Sequence, residues 1–155
     1  KLTQPLRAVA GLNLKNSLFI GPEERSQIAE VLDGTVITSK DKLAIISAGA
    51  RSHIKRWPAD RFAMLADRLI TELDFKVILV GDKDDLPVCA SVEKSMKNPA
   101  LNLCSKTTLK ELAALLERAS TLMTHTPGGY AKILVRSGTA TVWTRTLKAA
   151  SDGLL

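Results

Sequence analysis

The sequence is poor in aromatic residues and cysteines and has no long apolar run, and each shortage excludes a class of protein. Aromatic residues make up 4% of the 155 residues, without the aromatic clusters on which single-stranded RNA is stacked. Cys89 and Cys104 lack CxxC spacing, which excludes a disulfide framework and a zinc site and favours a reducing compartment. No stretch approaches the roughly 20 apolar residues of a membrane span, and residues 1–10 lack a signal-peptide pattern. We therefore expect a cytosolic protein.

Several well-known nucleotide and metal signatures are also missing. The chain has neither G-x-G-x-x-G nor G-x-x-x-x-G-K-[S/T], and the absence of these motifs argues against an NAD enzyme and a P-loop NTPase. It also has no nucleophile elbow, H-E-x-x-H motif or EF-hand loop, so we expect no metal and no cofactor. What it does have is a formal net charge of +6, which suits an anionic partner. Charge alone does not choose between a nucleotide, a nucleic acid and an acidic membrane surface.

The hydrophobic pattern predicts one α/β domain. Hydrophobic residues make up 45% of the chain, enough for a continuous core. Short apolar runs alternate with segments of helical period, which is typical of a parallel sheet covered by helices on both faces. The pattern predicts strands at 43–46, 76–81, 101–103, 121–124 and 139–143, and helices at 22–34, 58–73, from 84, from 109 and at 129–136. We expect a three-layer, Rossmann-like parallel sheet of about five strands over residues 22–155, with residues 1–21 as a linker or approach segment.

In such sheets, ligands bind beyond the carboxyl ends of the strands, which brings four predicted loops to one edge. The first loop carries Arg51, Lys55 and Arg56 just before the helix that Pro58 opens, where cations oppose the helix dipole unless an anion is bound. This arrangement predicts a phosphate site. Solvated surface charges remain the alternative interpretation.

The last of these loops, at residues 124–129, holds a Gly-Gly pair that would let backbone N–H groups approach a second anionic group. A tight turn that needs glycine explains the same pair equally well. His125 in this loop is by itself more typical of an ordinary polar residue than of a base. Asp82, Asp84 and Asp85 can be helix-capping acids, and Asp82 and Asp84 are also candidate site residues.

Several stretches of the sequence resemble the ADP-heptose:lipopolysaccharide heptosyltransferases of glycosyltransferase family 9. They are Ile-Ser-Ala-Gly-Ala-Arg at 46–51, Lys-Arg-Trp-Pro at 55–58, the strand and glycine-acid loop at 77–85, and Thr-Thr-Leu-Lys-Glu-Leu-Ala at 107–113. The Lys-Arg-Trp-Pro stretch is the most specific. The resemblance implies the C-terminal half of a GT-B fold, which binds a nucleotide-sugar donor such as ADP-heptose, while an N-terminal domain binds the acceptor and carries the catalytic base.

The resemblance also implies where the donor binds. Phosphate would meet the basic loop, the nucleoside would lie between the loops at 81–85 and 104–108, and the diphosphate or sugar would lie on the turn at 124–129. The implied residues are Arg51, Lys55, Arg56, Gly81, Asp82, Asp84, Lys106, Thr107, Thr126, Gly128 and Gly129. The resemblance further implies a cytoplasmic enzyme, which in its full form could associate peripherally with the inner face of the cell membrane.

One motif departs from the family pattern. Where the family has D-(S/T)-G-P-x-H, this chain has Thr-Pro-Gly-Gly-Tyr-Ala at 126–131, without the acid and the histidine. Three functions therefore stay open. The first is the donor-binding part of a glycosyltransferase that transfers a heptose or similar sugar to a lipopolysaccharide core. The second is a non-catalytic module that binds a sugar nucleotide or polyanion. The third is a nucleic-acid-binding domain, although we expect no sequence-specific binding of nucleic acid.

Overall fold

The computed structural model describes residues 20–50, 57–126, 130–137 and 141–147. The predictions for Arg51, Lys55, Arg56, Gly128 and Gly129 lie outside these residues. In chain order the elements are α1 Pro22–Asp33, β1 Lys42–Ser47, α2 Ala59–Leu73, β2 Phe75–Val80, a short 3-10 helix Lys83–Asp85, α3 Leu86–Ser95, β3 Leu101–Asn102, α4 Leu109–Arg118, β4 Thr121–Thr126, β5 Tyr130–Ser137 and β6 Thr141–Leu147.

The strands form one sheet in the order β3-β2-β1-β4-β5-β6. The first four strands of this order are parallel, with Ala44 aligned with Val77 on one side and with Thr121 on the other. The four central residues of β1 are all buried, as expected for a parallel strand covered on both faces. The α/β fold with a parallel sheet flanked by helices is confirmed.

Two hydrophobic clusters join the helices to the two faces of the sheet. On one face, Phe62 and Ala66 of α2 and Val92 of α3 pack on the sheet, and on the other, Leu32 of α1 and Leu115 of α4 do so. Each helix has one apolar stripe and buries it against the sheet, so the sheet lies between two layers of helices. The predicted three-layer arrangement is therefore present.

The helix predicted at 129–136 is wrong, because residues 130–137 form the strand β5. β5 pairs antiparallel with β4, from Thr126 opposite Tyr130 to Thr121 opposite Val135. β6 then pairs antiparallel with β5, so the strand predicted at 139–143 exists but does not extend the parallel sheet. The apolar run Ile-Leu-Val at 133–135 is too short to show a helical or strand period, and pairing with β4 decides its conformation.

Hydrogen bonds from side chains fix the start of α4 and the end of α3. Thr108 accepts a hydrogen bond from the N–H of Glu111, and the carboxylate of Glu111 accepts one from the N–H of Thr108, which together form a capping box at the start of α4. Asp67 of α2 accepts hydrogen bonds from the N–H groups of Lys97 and Asn98, at 2.9 and 2.8 Å. Asp67 thereby ties the end of α3 to α2.

None of the helices in the described ranges is long and apolar enough to cross a membrane.

Candidate functional site

The candidate site lies at the carboxyl edge of the four parallel strands. The strand order changes direction at β1, which has β2 and β3 on one side and β4 on the other. In open α/β sheets a crevice for ligands opens at this point, because the connections that follow the two neighbouring strands diverge. Of the predicted residues, the structure places at this edge Gly81, Asp82, Asp84, Lys106, Thr107 and the main chain of Thr126.

Asp82 starts the helical segment that follows β2. Its Oδ1 accepts hydrogen bonds from the N–H groups of Asp84 and Asp85, at 2.9 and 3.2 Å, while Oδ2 of Asp85 accepts one from the N–H of Asp82 at 3.2 Å. One Asp82 oxygen is therefore engaged in capping, which was the alternative interpretation of this acid. The side chains of Asp82 and Asp84 remain exposed at the edge.

Asp85, which the sequence predicted only as a helix-capping acid, fills the space between the loops that follow β1 and β2. A Cβ added to Gly49 would lie 1.9 Å from the carboxyl carbon of Asp85, and one added to Gly81 would lie 2.7 Å from its Cβ. Both glycines are thus needed for close approach. Gly81 is a packing position for Asp85 and for the thiol of Cys104, whose sulfur would be 3.2 Å from the added Cβ.

The loop after β3 is tied to the loop after β2. The N–H of Ser105 donates to the carbonyl oxygen of Gly81 at 2.9 Å, and Ser105 has a φ of 60°, an uncommon conformation for a residue other than glycine. Nζ of Lys106 donates to the carbonyl oxygen of Asn102 at 2.9 Å. Within the described part of the chain, no carboxylate forms an ion pair with Lys106.

His125, at the end of β4, forms hydrogen bonds at both ends of residues 49–56, which we call the basic segment because they contain Arg51, Lys55 and Arg56. Its Nδ1 accepts a hydrogen bond from the backbone N–H of Trp57 at 2.9 Å, and its Nε2 lies 2.6 Å from the carbonyl oxygen of Ala48. A carbonyl oxygen can only accept, so Nε2 carries the hydrogen and the ring is neutral. The ring packs edge to face against Phe62 at 5.0 Å between centroids.

Trp57 anchors the start of α2. Its side chain is 7% exposed and meets Phe62 edge to face, with ring centroids 4.8 Å apart. Its indole N–H is buried and has no hydrogen-bond partner among the residues that the structure describes. The packing supports an anchoring role for this aromatic residue.

The two thiols are buried below this edge. The thiol of Cys104 donates to the carbonyl oxygen of Asp82 at 3.3 Å and contacts the thiol of Cys89. Burial raises the pKa of Cys89 far above its ordinary value, and contact with Cys104 raises it further. Burial is also the main cause of the raised pKa of Cys104. Both thiols therefore stay protonated and act as packing groups.

Comparison with known proteins decides the family. Residues 6–127 match the sequence model of glycosyltransferase family 9 (heptosyltransferase). The chain belongs to glycosyltransferase family 9. No curated protein matches the sequence significantly.

Solved structures of this family have the same fold. A glycosyltransferase of family 9 from Veillonella parvula is 32% identical, with a TM-score of 0.64 over 67% of this chain and 30% of that chain. The ADP-heptose LPS heptosyltransferase II of E. coli is 22% identical, with a TM-score of 0.61 over 72% of this chain and 34% of that one. This family 9 chain therefore corresponds to about a third of the length of these two relatives.

Proposed function

We propose that this chain is the donor-binding domain of a glycosyltransferase that moves a heptose or similar sugar from a nucleotide donor to a lipopolysaccharide-core acceptor. The observation that carries the proposal is the edge where the strand order reverses at β1, in a chain of family 9. In the sequence, β1 is followed by the basic residues Arg51, Lys55 and Arg56. Residues 22–155 would form this domain, with residues 1–21 as the approach to it. The acceptor site and the catalytic base would belong to an N-terminal domain, in an enzyme of the cytoplasm or the inner membrane face.

The start of α2 supports a diphosphate at this edge. α2 has 15 residues, and its N-cap, Pro58, makes no side-chain capping hydrogen bond. The first N–H groups of a helix and the positive end of its dipole attract an anion. Arg51, Lys55 and Arg56 immediately precede this helix in the sequence. Their charges would stabilise the diphosphate leaving group as its negative charge grows in the transition state.

The loops after β2 and β3 carry groups that suit the binding of a nucleoside. Carboxylates such as those of Asp82 and Asp84 accept hydrogen bonds from ribose hydroxyls, as acids at this edge do in other nucleotide-binding sheets. Leu86 and Leu109 begin the two helices that follow these loops, and they are 45% and 71% exposed. They offer apolar surface for a nucleobase at the rim of the site.

One observation favours the second function, a non-catalytic module that binds a sugar nucleotide or polyanion. β4 is followed by the strand β5, which begins at Tyr130, so residues 127–129 do not lead into a helix. The predicted second anion site therefore has no helix dipole to support it. The family's acid and histidine are also replaced in this turn.

Calorimetric titration of the purified chain with ADP, UDP, GDP and their sugars tests the proposal. We expect saturable, weak binding of one of these nucleoside diphosphates, and no release of diphosphate from the sugar nucleotide, because the isolated domain supplies only half of the cleft between two domains. Turnover by this chain alone would contradict the division of roles between domains. Absence of any nucleotide binding, together with tight binding of mixed DNA that weakens steeply with salt, would favour the nucleic-acid function instead.

A further inference from the structure

His125 ties the end of β1 to the start of α2 through two main-chain hydrogen bonds. Its Nδ1 accepts from the N–H of Trp57, which precedes α2, and its Nε2 donates to the carbonyl oxygen of Ala48, which follows β1. Ala48 and Trp57 are both buried, and the ring itself packs edge to face against Phe62. One titratable ring therefore links two buried points of the main chain.

The two bonds respond differently to a proton. A neutral imidazole offers one acceptor and one donor, whereas an imidazolium offers two donors. The bond to Ala48 survives protonation, because Nε2 carries a hydrogen in both forms. The bond to Trp57 does not, because Nδ1 would then present a hydrogen to another N–H group, 2.9 Å away. Turning the ring over restores nothing, since both nitrogens of an imidazolium are donors.

The charged groups around His125 provide no acceptor that would replace this bond. Among the residues that the structure describes, no carboxylate forms an ion pair with the ring. The first turn of α2 carries one acid, Asp60, and one base, Arg61. On β5, Ala131 lies opposite His125, while Lys132 pairs with the residue before His125 and so lies on the other face of the sheet.

We propose that His125 makes the start of α2 sensitive to pH, because protonation of the ring releases the N–H of Trp57 while the bond to Ala48 stays. Imidazole groups take up a proton as the pH falls through about 6.5. The stability that the Trp57 bond contributes is therefore present at higher pH, where the ring is neutral, and is lost as the pH falls and the proton binds. A buried N–H that loses its partner is costly, so the start of α2 should open more often in mildly acidic solution. This inference does not depend on the proposed function.

The range from pH 5 to pH 8 isolates the effect of histidine. Carboxyl groups ordinarily titrate below this range, and burial raises the pKa of the Cys89 and Cys104 thiols away from it. The sequence has two histidines, His53 and His125. His53→Asn is therefore the matched control variant.

Nitrogen-15 NMR of the parent chain tests the bond and its loss. At pH 8 we expect an unprotonated Nδ1 in His125, with a scalar coupling across the hydrogen bond to the amide nitrogen of Trp57. At pH 5 both ring nitrogens should be protonated, the coupling should be gone, and the protection of the Trp57 amide against hydrogen exchange, relative to its intrinsic rate, should be about tenfold lower. The amide of Leu112, which bonds to the carbonyl oxygen of Thr108 in the first turn of α4, should keep its protection. A His125 ring that stays neutral at pH 5, or that is protonated while Trp57 keeps its protection, would overturn the proposal.

Urea unfolding of two variants between pH 5 and pH 8 assigns the effect to one ring. His125→Phe retains an aromatic ring without a titratable group, so its stability should depend less on pH than that of the parent. His53→Asn should retain the pH dependence of the parent. The reverse result, in which His53→Asn loses the pH dependence and His125→Phe retains it, would refute the role of His125. If His125→Phe does not fold, the NMR titration of the parent still decides the question.

Discussion

Replacing Gly49 with alanine should destabilise the protein through a contact with one identified side chain. The new Cβ would lie 1.9 Å from the carboxyl carbon and from Oδ1 of Asp85, so the carboxylate must leave its position. Asp85 then loses its hydrogen bond to the N–H of Asp82. Overpacking of this kind costs about 1–3 kcal/mol. For a chain of this size, about 2 kcal/mol corresponds to a decrease in Tm of roughly 4–8 °C.

Second-site variants distinguish this contact from a general effect of alanine. Asp85→Ala removes the carboxylate that the new Cβ would meet and itself loses the hydrogen bond to Asp82, so Gly49→Ala should cost little further stability in the Asp85→Ala background. Asp85→Ala should not rescue Gly81→Ala, because there the nearest atom is the Cβ of Asp85 at 2.7 Å, which alanine retains. Thermal unfolding followed by circular dichroism measures all of these variants.

Gly34→Ala is the matched control for a glycine substitution. A Cβ at Gly34 would lie 3.6 Å from the nearest described atom, the carbonyl oxygen of Glu30, which is an ordinary contact. Its φ of −70° is also open to alanine, so the variant should be neutral or more stable by about 0.4–1 kcal/mol. If Gly49→Ala were as stable as Gly34→Ala, the packing of Asp85 between the two loops would be refuted.

Three other predictions concern charge, pH and the thiols. Lys55→Ala should weaken ADP binding by roughly tenfold through loss of a charge-assisted contact, measured by calorimetry, whereas Lys40→Ala, at the amino edge of β1, should bind like the parent. Partial burial raises the pKa of Asp67, but its hydrogen bonds to the loop after α3 outweigh this and lower it overall. The stability that Asp67 contributes is therefore present above the pKa of an unfolded aspartate, about 3.9, and is lost as the pH falls through the lower folded value. Urea unfolding should show that the difference between the parent and Asp67→Ala shrinks at acidic pH, and a constant difference would refute this. Cys89 and Cys104 should react with a thiol reagent only when the protein unfolds, and rapid labelling of the folded chain would contradict their burial.

Most of the helices and parallel strands could be predicted because their signals are local. The capping box of Thr108 and Glu111 lies within one helical turn, and the apolar run of β1 is contiguous in the sequence. β5 could not be predicted in this way, because residues 130–137 acquire their strand conformation by pairing with β4.

The carboxyl edge of the sheet could be predicted from the sequence, but the contacts between the residues at that edge could not. The carboxyl edge follows from the order of strands and helices, and Gly81 was singled out as part of a loop at that edge. The roles of Asp85 and His125 were missed, because they depend on contacts between distant parts of the chain. The two bonds of His125 span 68 and 77 residues, and no local pattern encodes such a pair.

The location of the donor site can be measured directly by titrating the nitrogen-15-labelled chain with ADP and following the backbone amide signals. We expect progressive, saturable shifts at the carboxyl edge, at Gly49, Trp57, Gly81 and Ser105. Signals from the opposite edge of the sheet, such as those of Lys40 and Asp74, should stay unchanged. Shifts confined to that opposite edge, or no shifts with any nucleoside diphosphate, would contradict a donor site at the carboxyl ends of β1 to β4.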